Sequence, residues 1–264
     1  MSTQSTQRLT AEVNGHVARV TLDRPEVRNA FDDTTILELT AAFRGLDADS
    51  NVRVIILAAN GPAFCAGADL NWMKRMAGYS EAENRADALN LATMLNTIHA
   101  SRKPVIARIQ GDAYAGGTGL VAACDIAVSV ASANFCLSEA RLGLMPATIA
   151  PYVIRAMGAR AAHRYFVSAE KFDAAEALRI GFVHQVVSSD QLDESVDAIA
   201  KAIVANSPNA VSECKRLVSD FAHREIDDDL VADTADRIAR IRASEEGREG
   251  VRSFLEKRKP SWLV

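Results

Sequence analysis

The stretch that decides the fold is residues 109–139, IQGDAYAGGTGLVAACDIAVSVASANFCLSE. The apolar run Val105–Ile109 leads into it, and a second apolar run, Ile126–Val130, lies near its end. Between the two runs come a glycine turn at residues 115–117 and a segment of small residues, and the acid Glu139 closes the stretch. Strand, turn, helix and strand in this order are typical of a layered α/β sheet that carries a site at one edge.

The turn and the acid have two interpretations. Glycines allow backbone N–H groups to approach a ligand closely. An acid with apolar neighbours such as Phe135, Leu137 and Leu142 is hard to ionise when buried, so Glu139 can hold or transfer a proton. The alternative is an ordinary turn followed by a solvated loop acid. This stretch alone does not separate the two interpretations.

The composition argues against several classes of protein. Of the 264 residues, 48% are hydrophobic and 24% are charged, and the net charge is −4 without a basic block that would follow a nucleic-acid backbone. No apolar run approaches the ~18 residues of a membrane span. Residues 1–9 read as a polar leader without the apolar segment of a secretory signal. The expectation is a cytoplasmic protein that binds neither nucleic acid nor membrane.

The cysteines show neither CxxC spacing nor companion histidines at metal-binding spacing. They are therefore expected to be reduced, buried thiols, and no metal site is expected. The four residues are Cys65, Cys124, Cys136 and Cys214.

Strands and helices alternate through roughly residues 1–190, and helices alone fill residues 191–264. The first part predicts an α/β core of parallel βαβ units, and the second a helical region that packs on the core or on a neighbouring subunit. Asn14-Gly15 predicts a hairpin, and Asn29 is the expected cap of a helix over residues 34–46. The other predicted elements are strands over residues 52–58, 105–109, 126–130 and 182–187, and helices over residues 80–100, 151–157, 161–167, 169–181, 191–205, 208–223, 225–243 and 244–257.

A second small-residue loop, Ala66-Gly67-Ala68, follows the predicted strand over residues 52–58. If the strands are parallel neighbours, this loop and the turn at residues 115–117 lie at the same edge of the sheet. One backbone N–H from each loop can then converge on one oxygen as an oxyanion hole, in which each donor lowers the barrier by about 3 kcal/mol. The alternative is that small residues only let helices pack closely against strands.

Asp69 is the expected cap of a helix beginning near Leu70, and Trp72, Met73 and Met76 follow on that helix. Core packing is the usual role of such a stripe. The functional alternative is the apolar wall of an acyl pocket, which makes Trp72 a candidate binding residue.

Three segments, FCAGADL (residues 64–70), GDAYAGGTGLVAACDI (residues 111–126) and FCLSEARLGLMP (residues 135–146), together resemble the crotonase family of enoyl-CoA hydratases and isomerases. The resemblance extends from DRPEVRNAF (residues 23–31) to FLEKRKPSW (residues 254–262), nearly the whole chain. It implies an α/β fold, a crotonase-like ββα superhelix of stacked turns, with a C-terminal helical region that trimerises. A homotrimer or homohexamer is therefore expected, with an acyl-CoA substrate and no cofactor, since coenzyme A is part of the substrate.

Matched residue by residue, the resemblance implies that the N–H groups of Ala68 and Gly116 hold the thioester oxygen as it becomes enolate-like. Glu139 matches the acid that exchanges the proton at the α-carbon. Ala66 matches a backbone contact to the adenine, while Arg28 and Lys257 match basic residues near the nucleotide, for which a solvated surface charge is the alternative. The substrate-binding residues predicted on this basis are Ala66, Gly67, Gly117, Trp72, Arg28 and Lys257.

Gly119 marks the main departure from the family pattern, because two-acid members have a glutamate there that activates water. By sequence only Glu139 remains, so water would be oriented by backbone groups or by Glu139 itself. The leading hypothesis is an enoyl-CoA hydratase. Two alternatives stay open: a Δ3,Δ2-enoyl-CoA isomerase, which needs one acid and no water, or another crotonase reaction that uses a single glutamate; and a weakly catalytic acyl-CoA-binding protein.

A second departure follows Pro146, where ATIAPY (residues 147–152) replaces the usual glycine-rich run. With GADLNWM (residues 67–73), it resembles the bacterial branch named for 3-methylglutaconyl-CoA hydratase. That branch implies a substrate with a free distal carboxylate. The candidate cations for this carboxylate are Lys74, Arg75 and Arg141.

Overall fold

The structure of the chain is a computed structural model that describes residues 8–222 and 224–263. Predictions for residues 1–7 and 223, which are most of the polar leader and the last residue of a predicted helix, lie outside the described residues. Leu9 was expected to belong to the leader. It is instead buried and begins the first strand, because its side chain packs into the core.

Strands occur in two sets, longer ones of five or six residues and short ones of three. They are β1 Leu9–Asn14, β2 Val17–Leu22, β3 Val54–Ala59, β4 Ala63–Cys65, β5 Val105–Ile109, β6 Asp112–Tyr114, β7 Ile126–Val130, β8 Asn134–Cys136, β9 Lys171–Asp173 and β10 Gln185–Val187.

The larger sheet has the strand order β1–β2–β3–β5–β7–β10. The predicted hairpin pairs β1 with β2 in antiparallel register, and all other neighbours in this sheet are parallel. Every residue of β3 is buried, which is why this strand reads as an unbroken apolar run.

A smaller sheet has the order β4–β6–β8–β9, with β9 antiparallel to β8. Its first three strands follow β3, β5 and β7 directly along the chain, so each turn of the fold is two strands and then helical chain. The expected parallel strands joined by helical crossovers are present in the larger sheet, but each turn also contains a short second strand that periodicity did not predict. Three residues are too short to show an alternating pattern, so the second strand of each turn leaves no periodic signal.

The helices of the described residues follow the predicted periodicity in most places. They are α1 Asp33–Ala48, α2 Leu70–Met76, α3 Glu81–His99, α4 Gly116–Ala123, α5 Ala150–Ser168, α6 Ala174–Arg179, α7 Leu192–Val204, α8 Pro208–Phe221, α9 Asp228–Ala243 and α10 Glu245–Leu255. A non-helical residue, Gly158, divides α5 into the two predicted helices.

Two local predictions are wrong. The cap of α1 is Asp32, whose carboxylate accepts from the Thr35 N–H, while the buried Asn29 amide donates to backbone carbonyls instead. The single helix expected over residues 169–181 is β9 followed by α6. Phe172 of β9 stacks on Phe135 of β8 with ring centroids 5.5 Å apart, so tertiary packing draws this segment into the smaller sheet.

The last strand ends at Val187, and only helical elements follow it in the described chain. Lys215 on α8 ties this region to the core through an ion pair with Asp125 at 2.8 Å. The boundary between residues 190 and 191 remains a prediction. Within the described ranges, no helix combines the length and apolar character needed to cross a membrane.

Candidate active site

The candidate site lies at one edge of the smaller sheet. β4, β6 and β8 run parallel, so their carboxyl ends share that edge. The expectation that the loops directly follow strands of a single sheet is wrong, since β4 and β6 intervene. The loops that leave this edge are residues 66–68 after β4, residues 115–117 after β6 and residues 137–139 after β8.

The loop that contains Ala68 is held by backbone pairing with Phe31. The Phe31 N–H donates to the Gly67 carbonyl at 2.9 Å, and the Asp69 N–H donates to the Phe31 carbonyl at 2.9 Å. In this parallel bridge Phe31 bonds the residues on either side of Ala68, so the Ala68 N–H faces away from Phe31. That N–H donates to no other described residue.

Gly116 begins α4, so its N–H has no acceptor within the helix. It also donates to no other group in the described chain. Ala115, the residue before it, has φ of 47° and ψ of −121°, a conformation that costs an alanine of order 1–3 kcal/mol. The Ala115 N–H donates to the Cys136 carbonyl at 2.7 Å, and this bond helps to hold the strained turn.

The two loops touch, because a Cβ placed on Gly67 would lie 3.5 Å from the Gly116 nitrogen and 3.1 Å from the Ala115 Cβ. Two N–H groups without acceptors therefore lie on adjacent loops, next to the amino end of a helix. This is the arrangement that stabilises a developing negative charge on an oxygen.

Close approach explains why glycine occupies two positions here. A Cβ on Gly116 would lie 2.4 Å from the Cζ atom of Phe31, and one on Gly117 would lie 2.3 Å from the Cys65 carbonyl oxygen. Any larger residue at either position would overlap Phe31 or the Cys65 backbone.

Glu139 begins a 3-10 turn, Glu139–Leu142, and its Oε2 atom is buried without a hydrogen-bond partner among the described residues. Removal from water raises the pKa of the Glu139 carboxyl above its ordinary value, although a hydrogen bond from its own backbone N–H opposes this. Phe135 and Leu137 are buried as expected, but Leu142 is largely exposed and is not part of the apolar surroundings.

Gly119 faces Ile149, the residue before α5. A Cβ on Gly119 would lie 2.2 Å from the Ile149 Cγ2 atom and 3.7 Å from the Leu95 Cδ2 atom. Both side chains are buried. Hydrocarbon therefore fills the space beside the position where the family's second acid would stand.

Of the other predicted binding residues, Ala66, Arg28 and Trp72 lie near the two loops, and Lys257 does not. The Ala66 N–H donates to the Arg28 carbonyl at 3.0 Å, so these two residues lie side by side at the site, with the Arg28 side chain exposed. Trp72 is buried, and the centroid of its ring lies 5.9 Å from that of Phe31. Its indole N–H donates to Asp87 at 3.2 Å. Lys257 is set apart, because it follows α10, whose main contacts are with α8 and α9.

The three candidate cations differ in their engagement. Arg75 pairs with Asp33 at 2.8 Å, and the Arg141 guanidinium donates to the Ala169 carbonyl at 2.5 Å. Lys74 is exposed and pairs with no carboxylate among the described residues.

A cavity of about 580 Å³ lies beneath α8, but its lining does not include the two loops or Glu139. In residues 8–222 and 224–263, no cluster of three or more His, Cys, Asp or Glu side chains is arranged to hold a metal ion.

Sequence reasoning missed three residues that shape the site: Arg24, Phe31 and Ile149. Arg24 and Phe31 lie within DRPEVRNAF, which was recognised as a family segment without a role for either side chain. Ile149 lies in the segment that departs from the family pattern, so the joint departure at positions 119 and 149 was the available signal.

Comparison with known proteins places this geometry in a family. Residues 12–263 match the model described as "Enoyl-CoA hydratase/isomerase". The crystal structure of an enoyl-CoA hydratase from Shewanella pealeana superposes with a TM-score of 0.95 at 42% identity, covering 98% of this chain and 97% of that one.

The chain belongs to the crotonase family.

Two further relatives of this crotonase are similar in sequence. The short-chain-enoyl-CoA hydratase of Clostridium acetobutylicum is 32% identical, covering 94% of each chain. Mevalonyl-coenzyme A hydratase sidH of Aspergillus fumigatus is 33% identical, covering 94% of this chain and 91% of that one. The predicted family, the α/β crotonase fold and the prediction of an enzyme of the enoyl-CoA hydratase/isomerase type are confirmed.

The contact between Gly119 and Ile149 predicts that this crotonase does not tolerate Gly119→Ala. The added methyl group would overlap the Ile149 side chain, and overpacking of this kind destabilises by about 1–3 kcal/mol. Gly45→Ala is the matched control, because a Cβ there meets nothing within 4 Å and glycine within α1 is replaced by a better helix former. Urea unfolding measures both variants, and a Gly119→Ala protein as stable as Gly45→Ala would contradict the contact.

Glu139→Gln is expected to stabilise the folded enzyme at neutral pH. Because the folded-state pKa of Glu139 is raised, its favourable contribution is present below the unfolded pKa and is lost as pH rises through the folded pKa. The Tm difference between Glu139→Gln and the unmodified protein should therefore be larger near about pH 7.5 than near about pH 4. Scanning calorimetry measures it, and a difference that shrinks with rising pH would contradict the buried carboxyl.

Proposed function

We propose that this crotonase-family enzyme is an enoyl-CoA hydratase, which adds water across the double bond conjugated to a CoA thioester. The observation that carries the proposal is a pair of N–H groups on adjacent loops, those of Ala68 and Gly116, which have no acceptor among the described residues. They lie at the same strand edge as Glu139, whose Oε2 atom is buried. The names of the similar hydratases from Shewanella and Clostridium support water addition as the reaction.

The two N–H groups would receive the thioester oxygen. When the water oxygen bonds to the β-carbon, the electrons of the double bond move toward that oxygen, and the thioester becomes an enolate. Donors placed in advance stabilise this charge without the reorganisation that water would need. The amino end of α4 adds a favourable dipole at the same position.

Glu139 would carry out the proton transfers alone. In its protonated form the carboxyl would donate its proton to the α-carbon of the enolate. Removal from water raises the pKa of this carboxyl, so it keeps a proton to a higher pH than an exposed glutamate does. The proton that the added water loses then returns to the Glu139 carboxylate. The sum is one water added to one double bond, with Glu139 restored to its starting state.

The finer assignment of the substrate is a 3-methylglutaconyl-type thioester, supported by the segments that resemble that branch. Lys74 is the proposed partner for its distal carboxylate, because Arg75 and Arg141 are engaged elsewhere. Ala66, Gly67, Gly117, Arg28 and Trp72 would bind the rest of the substrate, with Lys257 at the nucleotide.

Coenzyme A enters as part of the substrate and no further cofactor is required. All four cysteines are free thiols, which fits the proposed cytoplasmic location.

A Δ3,Δ2-enoyl-CoA isomerase is the second candidate, and the hydrocarbon around Gly119 favours it. Isomerisation moves one proton between carbon atoms through the same enolate, so it needs the oxyanion hole and one acid but no water. Ile149 and Leu95 place apolar atoms where a water-activating acid would otherwise stand.

The proposed assembly is a homotrimer or homohexamer formed through the C-terminal helices. No residue of α8 is buried in the single chain, although the helix is amphipathic. Large apolar side chains are also exposed on α10, including Phe254 at 81% and Leu255 at 73%. Clustered exposure of large apolar side chains is typical of subunit interfaces, and these helices are the proposed contact.

Glu139→Gln should lower kcat for hydration by about 10²–10⁴-fold, because the amide cannot exchange a proton with the α-carbon. Binding of a saturated acyl-CoA, measured by calorimetry, should be retained. Glu12→Gln, an exposed position on β1, is the matched control and should keep full activity. The proposed role of Glu139 is wrong if the Glu139→Gln enzyme keeps near-normal turnover.

Product analysis in ¹⁸O-labelled water separates the two candidate reactions. A hydratase incorporates one labelled oxygen at the β-carbon, and an isomerase incorporates none. Rearranged product without label would replace the proposed hydratase by the isomerase.

Light scattering should give a particle three or six times the 28.4 kDa chain mass. The exposed apolar side chains of α8 and α10 would be covered in that assembly. A monomer at micromolar concentration would contradict the proposed oligomer.

A further inference from the structure

Arg24 lies beneath the Ala68 loop and bridges two capping carboxylates. Its Nη2 atom donates to the Asp69 Oδ2 atom at 3.0 Å, and its Nη1 atom donates to the Ala30 carbonyl at 2.8 Å and lies 3.7 Å from the Asp32 Oδ2 atom. The Arg24 side chain is only 18% exposed and that of Asp69 only 7%. Arg24 therefore links the Asp69 side chain to residues 30–32, the segment whose Phe31 backbone pairs with the Ala68 loop.

Asp69 follows Ala68 directly and anchors the loop from the other side. Its Oδ1 atom accepts from the N–H of Asn71 at 2.8 Å and from the N–H of Trp72 at 3.4 Å, which caps α2. Its backbone N–H bonds the Phe31 carbonyl. The Ala68 N–H belongs to the Gly67–Ala68 peptide, whose carbonyl accepts from the Phe31 N–H. The next peptide, Ala68–Asp69, is held by the bond from the Asp69 N–H to Phe31, and the Asp69 side chain is held by Arg24.

The charge of Asp69 has a consequence for the proposed reaction. Burial alone would raise the pKa of Asp69, but hydrogen bonds from the Asn71 N–H and from Arg24 bring it below its ordinary value, so Asp69 is ionised. A buried negative charge one residue from Ala68 opposes the negative charge that develops on the thioester oxygen. The Arg24 guanidinium compensates it.

We propose that Arg24 is a positioning residue of the oxyanion hole, which orients the Ala68 N–H through Asp69 and neutralises the Asp69 carboxylate beside the developing oxyanion. The inference rests on the proposed function, because it takes the Ala68 N–H as a donor to the thioester oxygen. Arg24 acts without contacting the substrate.

Arg24→Met tests the proposal in the full-length enzyme. Loss of one well-oriented donor lowers kcat by roughly 10–100-fold here, toward the range known for deletion of an oxyanion donor, while KM changes by less than about threefold. Arg8→Met is the matched control, since Arg8 pairs with Asp32 at 3.1 Å but not with Asp69, and it should keep kcat within about twofold. Arg24→Lys, which keeps the charge but not the two-pronged contact, should fall between the two.

A double variant separates charge from geometry. Arg24→Met/Asp69→Asn removes the uncompensated carboxylate but keeps a side chain that can cap α2. It should recover part of the kcat lost in Arg24→Met. If kcat and the Tm fall together in every variant and the double variant recovers neither, Arg24 is only a structural residue and the proposal is overturned.

Hydrogen exchange separates failure of this inference from failure of the proposed function. Amides of residues 69–73 should exchange faster in Arg24→Met than in Arg8→Met, whatever reaction the enzyme catalyses. If the unmodified enzyme turns over no enoyl-CoA, the proposed function fails and the exchange result alone decides the positioning role. The proposal is overturned if the amides of residues 69–73 exchange at the same rate in Arg24→Met and Arg8→Met. It is also overturned if the Arg24→Met enzyme has a normal kcat.

Discussion

The geometry of the candidate site depends on the packing of Phe31 between the two loops. Its backbone pairs with Gly67 and Asp69, and its ring rests on the Cα atom of Gly116. One residue, 1% exposed, therefore touches both loops that supply the proposed donors. Because a buried ring cannot shift without displacing its neighbours, the separation of the two N–H groups is fixed by packing rather than by the loops themselves.

The strain and the small residues around Phe31 follow from the same constraint. Ala115 adopts a costly conformation so that the Gly116 N–H leads α4, and Gly117 has no side chain because the Cys65 carbonyl occupies that space. The smaller sheet holds Ala115 in this strained conformation, because the Ala115 N–H donates to the Cys136 carbonyl of β8. Close packing of backbone on backbone leaves polar N–H groups as the surface that a substrate oxygen meets.

Hydrocarbon surrounds position 119 on the other side of the candidate site. Ile149 and Leu95 cover Gly119, and Glu139 keeps one carboxyl oxygen buried without a partner. Removal from water raises the pKa of the Glu139 carboxyl, and position 119 carries no carboxylate. The proposed combination of one proton-carrying carboxyl with two backbone donors would suit reactions that pass through a thioester enolate and return the proton to the carboxyl.

The sequence by itself determined the long strands, most helices, the family and the pairing of residues 66–68 with residues 115–117 as candidate loops. These depend on local periodicity, on the predicted capping residue Asp69, and on motifs that are contiguous in the chain. Only the tertiary structure decided that the loops leave the smaller sheet, that Asp32 rather than Asn29 caps α1, and that Ile149 fills the space at Gly119. The first and the last of these outcomes depend on contacts between residues distant in the chain, and such contacts leave no local pattern. The Asp32 cap is itself a local contact with Thr35, but Asn29 is drawn away from capping by the distant carbonyls of Asn60 and Ala63.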